Sequence, residues 1–189
     1  FSSPLDDQIF KQDFYNTPLV WIDVKNTVDR EIKKGTSRKR DSEANIIVNK
    51  LKEMINSKKG KKFTYGVISF YKAQVDEISE RLKIEGIADK VKVGSVDAFQ
   101  GMEFDIMFLS VVRTNTKESL KSTFPYGFLA SENRLCVALS RQKRLLIVVG
   151  DSDIFYSKEW KELAKKNVPA MVNLYELCLK KGEVIDGSK

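Results

Sequence analysis

Two charged residues within the segment 94–151 have the types and positions that phosphate chemistry requires. Glu103 ends a Gln-Gly-Met-Glu turn before one apolar run, and Arg141 ends a polar segment before a second one. The glycine of that turn lets a backbone N–H approach a phosphate closely. An arginine in the second position can neutralise charge on a transferring phosphoryl group. Taken singly, each feature fits an ordinary turn or a solvated arginine better than a phosphate site.

A second arginine lies close to the first in the chain. The segment 131–142 is predicted to be a helix in which Arg134, Ala138 and Arg141 share one stripe. The helical rise would place the two guanidinium groups roughly 10 Å apart along the helix. Such a pair could clamp a polyphosphate. The alternative is two solvated arginines that pair with Glu132 or other neighbours.

Missing residue types exclude several enzyme classes. The chain has no histidine, which excludes Ser-His-Asp and Cys-His nucleophiles and most catalytic zinc sites. It also lacks the P-loop pattern, since Gly60-Lys61-Lys62 has neither the leading glycine nor the metal-binding hydroxyl. A metal-dependent nuclease using Asp23, Asp97 and Asp151 is a further alternative, but these aspartates also fit turn and cap positions. We therefore predict no metal ligand in this chain.

The charge of the chain favours a polyanionic partner. The formal net charge is +7, and lysines and arginines cluster in 33–40 and 58–62. Nucleic acid is the first candidate partner, although a charge that serves only solubility explains the excess equally well. No apolar window is long enough to span a membrane. Cys136 and Cys178 lie far apart in helical patterns, which predicts two buried thiols and an intracellular protein, cytoplasmic or nuclear.

Alternating strands and helices must position these residues. Apolar runs predict strands at 19–24, 63–69, 91–96, 104–112 and 145–149, with amphipathic helices between them. The strongly apolar run 104–112 is predicted to be a central strand, and the segment 25–40 a charged loop. This order predicts an α/β fold with a parallel sheet, right-handed crossovers and ligands beyond the carboxyl ends of the strands. We predict a connector at 1–18, one domain at 19–181 and a tail at 182–189. The first residue, Phe1, and the lack of a leader predict a fragment of a longer polypeptide.

Three segments together resemble a known family. VDAFQGMEFDIMFLSVVRTN and NRLCVALSRQKRLLIVVGD resemble motifs V and VI of superfamily 1B helicases, and GVISFYKAQVDEI resembles motif IV. The closest group is the nonsense-mediated-decay and senataxin-like RNA/DNA helicases. The order and spacing match the second RecA-like motor domain over 19–181. The resemblance implies a three-layer RecA-like (P-loop NTPase-like) domain with a mostly parallel central sheet flanked by helices.

The resemblance also implies roles for single residues. Arg141 matches the arginine finger, which reaches the γ-phosphate of ATP across a cleft. In this family the P-loop and the Mg²⁺-binding acidic motif belong to a preceding N-terminal RecA-like domain of the same polypeptide, so this chain alone is expected to be inactive. The other residues expected at the nucleotide are Gly101, Glu103, Gln100, Arg134, Tyr71 and Gln74. Those expected to face or support single-stranded RNA or DNA are Ser69, Phe70, Ser95, Asp97, Arg113 and Asn115.

Some positions depart from the family pattern. Val75 stands where some members carry an arginine after the motif IV glutamine, so a second finger is not supported. Cys136 stands where asparagine is common, Gln142 and Lys143 replace an Ala-Arg pair, and Phe70 replaces a frequent proline. The first hypothesis is the C-terminal motor domain of an ATP-dependent helicase. The alternative is a RecA-like module that binds nucleic acid or protein without motor activity.

Overall fold

A parallel sheet forms the centre of the molecule. The computed structural model describes residues 14–115, 122 and 124–187. The strands are β1 (Leu19–Asp23), β2 (Ile32–Lys34), β3 (Ser37–Lys39), β4 (Tyr65–Ser69), β5 (Val91–Gly94), β6 (Phe104–Ser110), β7 (Gln142–Gly150) and β8 (Glu183–Asp186). Six of them form one sheet in the order β5-β4-β6-β7-β1-β8, with every neighbouring pair parallel. Strands β2 and β3 form a separate antiparallel hairpin.

Helices cover both faces of this sheet. They are α1 (Asp41–Asn56), α2 (Lys72–Ile84), α3 (Glu132–Ala138), α4 (Asp153–Tyr156), α5 (Lys161–Asn167) and α6 (Pro169–Lys181). The apolar residues of α1 and α2 share one core cluster with one side of the strands. Those of α3 to α6 share a second cluster with the other side. The predicted three-layer α/β fold with a parallel sheet is confirmed.

Strand β6 has a continuous apolar run, Ile106 to Leu109, because it is covered on both faces. Ile106 and Phe108 belong to the α1–α2 core, whereas Met107 and Leu109 belong to the core on the opposite face. Successive side chains of a strand point to opposite faces, so a strand covered on both sides needs an apolar residue at each position. The prediction of a central strand here is confirmed, because β6 lies between β4 and β7.

The helix predicted over 131–142 is shorter than expected. Helix α3 ends at Ala138, because Leu139 leaves the helical conformation. Gln142 already pairs with Phe104 as the first residue of β7. Arg141 therefore lies in the turn between α3 and β7, and the prediction that it shares a helical stripe with Arg134 is wrong.

Several short elements were not predicted from the sequence. The hairpin β2–β3 occupies a segment read as a charged loop, and β8 lies within the segment 182–189 that was read as a tail. Strand β8 pairs with β1 at the edge of the sheet, with Glu183 opposite Val20. These strands span three or four residues, too few to show a period. Most of the predicted connector, residues 1–13, lies outside the described residues.

Two further expectations concern thiols and membranes. Cys178 is buried in α6 as predicted, whereas Cys136 is exposed on α3, so the expectation of two buried thiols is wrong for Cys136. Both cysteines are free. In the described part of the chain, none of the helices combines the length and the apolar character needed to cross a bilayer.

A buried charge network fixes the carboxyl end of β6. Arg40 and Glu43 at the start of α1 are fully buried. The Arg40 guanidinium donates to Asp29 at 2.8 Å and lies 3.4 Å from Glu43. The Glu43 carboxylate also accepts the Ser110 hydroxyl at 2.7 Å and the backbone N–H of Val112 at 2.9 Å and 3.0 Å. This one carboxylate therefore joins α1 to the end of β6.

Val112 needs that support because its backbone is strained. Its φ of 69° is the only positive value among the described residues other than glycine. A β-branched residue in this left-handed region is disfavoured and persists only when its surroundings impose it. The next residues are held in a similar way. Glu31 accepts the N–H of Thr114 at 2.7 Å and pairs with Arg113 at 3.1 Å.

The burial of Glu43 predicts an unusual pH dependence of stability. Burial raises the pKa of its carboxyl to about 7, although the nearby Arg40 opposes the change. From about pH 4.5 to about pH 7 the unfolded chain loses this proton while the folded chain keeps it. The Glu43 contribution to the free energy of unfolding therefore falls as pH rises through that window, by up to roughly 3 kcal/mol, and is constant above it.

Urea unfolding of the parent and of Glu43→Gln between pH 4.5 and pH 8 measures this contribution, because the other acids are common to both. We expect the difference in unfolding free energy between the two proteins to change with pH below about 7 and to level off above it. A difference that is constant across the range would contradict a raised pKa for Glu43.

Candidate functional site

Arg141 lies at the amino ends of β6 and β7. Its backbone carbonyl accepts the N–H of Phe104, the first residue of β6, at 2.9 Å. Its guanidinium donates to the carbonyl of Val137 at 3.1 Å, to the carbonyl of Met102 at 3.3 Å and to the hydroxyl of Ser140 at 2.8 Å. Within the described residues no carboxylate pairs with it. The side chain is thus oriented by neutral groups, and its charge remains available to an anion.

The turn before β6 lies beside this arginine. Gly101 has a φ of +77°, a conformation that L side chains rarely adopt, while a Cβ built there would meet nothing within 4 Å. Its neighbours Gln100, Met102 and Glu103 are exposed. Glu103 lies 3.9 Å from Lys143, and within the described residues it forms no ion pair with Arg141. The structure therefore brings Gln100, Gly101, Glu103 and Arg141 together at one edge of the sheet.

That edge is not the one predicted. The parallel fold led us to expect ligands beyond the carboxyl ends of the strands, but the four residues of this group precede β6 and β7. The segment 95–103 explains the difference, because it runs from the carboxyl end of β5 back to the amino end of β6. Its first residues lie at one edge of the sheet and its last residues at the other.

Arg134 lies with a different group from Arg141. Its guanidinium is 3.3 Å from the Asp97 carboxylate and 5.4 Å from the centroid of the Phe128 ring. Asp97 belongs to a 3-10 turn just after β5. It therefore lies where the carboxyl ends of the strands meet, a side of the sheet called the carboxyl edge here. Since α3 crosses the sheet between β6 and β7, its first turn and the turn that follows it lie at opposite edges. Arg134 therefore does not join the predicted nucleotide group, for which it was a candidate.

A groove of about 350 Å³ lies at the carboxyl edge. Its wall contains three of the residues predicted to face a single strand, Phe70, Ser95 and Asp97, together with Arg134. It also contains residues for which the sequence suggested no role, namely Thr36, Ser37, Lys72, Val96 and Phe128. The groove therefore combines the hairpin β2–β3, the start of α2, the turn after β5 and the turn before α3.

Three other candidates for the strand-facing role are buried supports. Ser69, Arg113 and Asn115 are nearly inaccessible to solvent. The Arg113 guanidinium donates to the carbonyl of Pro125 at 2.6 Å and to the Asn115 side chain at 3.3 Å. It therefore anchors the segment just before α3. These buried residues support the carboxyl edge and are not exposed at its surface. The family resemblance implies such a supporting role for some of the strand-facing candidates.

Two candidates for the nucleotide group are also buried. Gln74 is fully buried; its amide oxygen accepts the N–H of Arg40 at 2.8 Å and its amide nitrogen donates to Ser110 at 3.0 Å. Tyr71 packs against Phe128, with ring centroids 5.6 Å apart, and burial raises the pKa of its phenol. Both residues hold the carboxyl edge together and neither lies at the Arg141 edge.

One clue to the missed residue Phe128 was visible in the sequence. Phe124, Tyr126 and Phe128 form an aromatic patch, but the pattern alone does not separate core residues from surface residues. Tyr126 is fully buried, and its hydroxyl donates to the carbonyl of Ile154 at 3.1 Å. Phe124 and Phe128 are 74% and 46% exposed. Large aromatic side chains exposed near an arginine are the signal that could have indicated a binding surface.

The aspartates of the nuclease alternative do not form one site. Asp23 accepts the N–H and the hydroxyl of Ser152 at 2.9 Å and 2.7 Å. Asp151 accepts the N–H of Asp153 at 3.0 Å, and burial raises its pKa to about 6. Asp97 lies after β5, which is three positions from β7 and four from β1 in the sheet order. Across the described ranges, no group of three or more His, Cys, Asp or Glu residues could hold a metal ion.

Comparisons with known proteins agree on one family. A family model described as "AAA domain" matches residues 2–153. The DNA polymerase alpha-associated DNA helicase A of Saccharomyces cerevisiae is 34% identical over 161 residues, which are 79% of this chain and 22% of that protein. The putative helicase mov-10-B.2 of Danio rerio is 39% identical over 131 residues, or 62% of this chain and 13% of that protein. The chain thus spans less than a quarter of either relative.

A solved structure resembles the chain more distantly. It is the C-terminal domain of a possible DNA helicase from Lactobacillus plantarum WCFS1. The alignment covers 80% of this chain and 88% of that one, with a TM-score of 0.44 and 16% sequence identity.

The conformation of Gly101 gives a testable expectation. Because space is open around it and only its φ is unusual, Gly101→Ala should lower the free energy of unfolding by about 1 kcal/mol through backbone strain alone. Gly101→Asn should cost less, since asparagine tolerates the left-handed region better. Urea denaturation of the three proteins measures both effects. An alanine variant as stable as the parent would mean that the turn is not left-handed.

Proposed function

This chain belongs to the AAA-domain family of superfamily 1B helicases, and from that premise we propose that it is the C-terminal motor domain of an ATP-dependent nucleic-acid helicase or translocase. The match over residues 2–153 confirms the resemblance seen in its motifs. The proposal is supported chiefly by the position and the hydrogen-bond partners of Arg141. Its guanidinium lies at an open edge beside the left-handed turn at Gly101, and neutral groups rather than a carboxylate orient it.

These residues fit one wall of a nucleotide site. ATP with Mg²⁺, when bound, supplies the phosphoryl group that is transferred to water. Arg141 offers a planar cation whose remaining N–H groups can donate to phosphate oxygens and offset the charge that develops on them. Gly101 leaves the backbone of its turn open to close approach, since no side chain covers it. Glu103 and Gln100 are exposed beside it and can contact the nucleotide from the same edge.

The other wall belongs to a second domain in this proposal. The chain has no P-loop pattern, and it spans less than a quarter of the curated relatives it matches. We place the P-loop and the magnesium-binding carboxylates in an N-terminal RecA-like domain of the same polypeptide. Closure of the two domains would bring Arg141 to the nucleotide, and hydrolysis would release that closure.

Single-stranded RNA or DNA is the proposed partner at the opposite edge of the sheet. Ser95, Asp97 and Phe70 line the groove there, above the buried supports Ser69 and Arg113. The net charge of +7 supports a polyanionic partner. The two free thiols support an intracellular location, cytoplasmic or nuclear. The motor would therefore bind the nucleotide at the amino ends of β6 and β7 and the single-stranded nucleic acid at the carboxyl edge.

The isolated chain tests the division of the site between two domains. Because it lacks a P-loop, we expect no magnesium-dependent ATP hydrolysis above the uncatalysed background, with or without a single strand. A phosphate-release assay on the purified chain measures this. Robust hydrolysis by the chain alone would contradict the proposal.

Arg141→Ala in the full-length polypeptide tests the finger. We expect turnover at saturating strand to fall by about 10³ to 10⁵, the range that arginine fingers supply, while the unfolding temperature stays the same. Arg144→Ala is the matched control, because its guanidinium lies near the same edge but is paired with Asp105 at 3.3 Å. The control should keep turnover close to the parent. Normal turnover in Arg141→Ala would favour a binding module without motor activity.

A further inference from the structure

We propose that Arg134 and Phe128 form a stacking site for one base of a single-stranded nucleic acid, and that Asp97 holds the guanidinium until the strand arrives. This inference rests on the proposed function, in which the carboxyl-edge groove contacts the strand. It adds a specific mode of contact, because it assigns base stacking to a residue pair that neither the motif resemblance nor the comparisons single out for that role.

Packing within the fold supports the Arg134–Phe128 pair. The Arg134 guanidinium lies 5.4 Å from the centroid of the Phe128 ring. Behind that ring, buried Tyr71 packs at 5.6 Å between centroids with the planes 56° apart. Gly127 permits this packing, since its φ is +53° and a Cβ there would lie 2.6 Å from the Tyr71 hydroxyl. The aromatic ring is thus fixed from within the fold while one side stays at the surface.

The outer surface of the pair is accessible. Phe128 is 46% exposed, and the Arg134 side chain is 42% exposed. Proteins that bind single strands stack bases on aromatic rings and on guanidinium planes, because every base has a flat π-face. An arginine held over an aromatic ring offers both kinds of surface in one place. Packing on Tyr71 accounts for one side of Phe128, whereas its exposed side makes no such contact.

Cations for the phosphates lie on the hairpin β2–β3, which borders this surface. The turn of the hairpin β2–β3 contributes Thr36 and Ser37 to the same groove. Lys33 and Lys34 of strand β2 are exposed, and neither forms an ion pair within the part of the chain that the structure describes. A base on the Arg134–Phe128 surface would leave its backbone within reach of this hairpin. The groove therefore offers the two features, stacking and phosphate neutralisation, that single-strand sites combine.

Asp97 is the feature that a strand must displace. Its side chain is 70% exposed and lies 3.3 Å from the Arg134 guanidinium. An exposed ion pair of this kind is weak, so a phosphate or a base edge can replace the carboxylate. The carboxylate repels a polyanion while it stays in place. Asp97→Asn should therefore bind a strand more tightly than the parent, a direction opposite to that expected for a residue that contacts the strand favourably.

The test measures binding of the chain to labelled oligo(dT) and oligo(U) of about 12 nucleotides by fluorescence anisotropy. We expect Phe128→Ala to weaken binding by between about 5-fold and about 150-fold, the range for loss of one stacked base, and Phe128→Tyr to retain it. Phe124→Ala is the matched control, because Phe124 is a 74% exposed phenylalanine that does not line the groove. It should bind like the parent.

Salt dependence separates stacking from charge. Phe128→Ala should lower affinity without changing the slope of log K against log salt. Arg134→Lys keeps the positive charge but loses the planar guanidinium group, so it should also weaken binding without changing the salt slope. Arg134→Ala should weaken binding, and its slope should be smaller by about one if the guanidinium also neutralises a phosphate. If Phe128→Ala fails to fold, Phe128→Leu retains apolar volume without the π-face and should show the same loss.

The inference is overturned if folded Phe128→Ala and Phe128→Leu both bind the oligonucleotides as the parent does, or if the parent chain binds neither of them. Either result leaves the proposed motor function to be judged by the Arg141 variant. In the full-length polypeptide, substitutions of Phe128 and of Arg141 should also have different effects on ATP hydrolysis. Phe128→Ala should raise the strand concentration that gives half-maximal ATP hydrolysis without lowering the saturated rate, whereas Arg141→Ala should lower the saturated rate.

Discussion

The buried carboxylate of Glu43 is the constraint on which the carboxyl edge depends. A charge without solvent must be paired and hydrogen-bonded to be tolerated, and Glu43 meets this requirement with Arg40, Ser110 and the strained backbone of Val112. The Glu43 carboxylate therefore joins helix α1 directly to the end of strand β6. Because the chain turns sharply at Val112, the following Arg113 points inward and anchors the segment that leads to α3.

Helix α3 divides the two proposed activities between the edges of the sheet. A right-handed crossover must carry the chain from the carboxyl end of β6 to the amino end of β7. Arg134 begins this crossover beside Asp97, and Arg141 ends it beside Met102. One short rigid helix thus connects the groove proposed for the strand with the wall proposed for the nucleotide. A shift of α3 is the simplest way for one edge to affect the other.

The sequence predicted those features that follow from repeated patterns or from motifs. The apolar run at 104–112 predicted a buried central strand, and three motifs in order predicted the family, which the match over residues 2–153 confirms. The sequence could not show where α3 ends, because Leu139 and Gln142 are compatible with a helix and only pairing with Phe104 draws Gln142 into β7. For the same reason it placed Arg134 and Arg141 on one stripe, although tertiary contacts separate them.

We propose that nucleotide and strand contact opposite edges of this domain, and hydrogen exchange of the full-length polypeptide can locate both contacts. A single-stranded oligonucleotide alone should slow amide exchange in 94–99 and 126–135. A non-hydrolysable ATP analogue with Mg²⁺ should slow exchange in 100–104 and 139–143. Protection of the same segments by both ligands, or protection of the two sets in the reverse assignment, would contradict the claim.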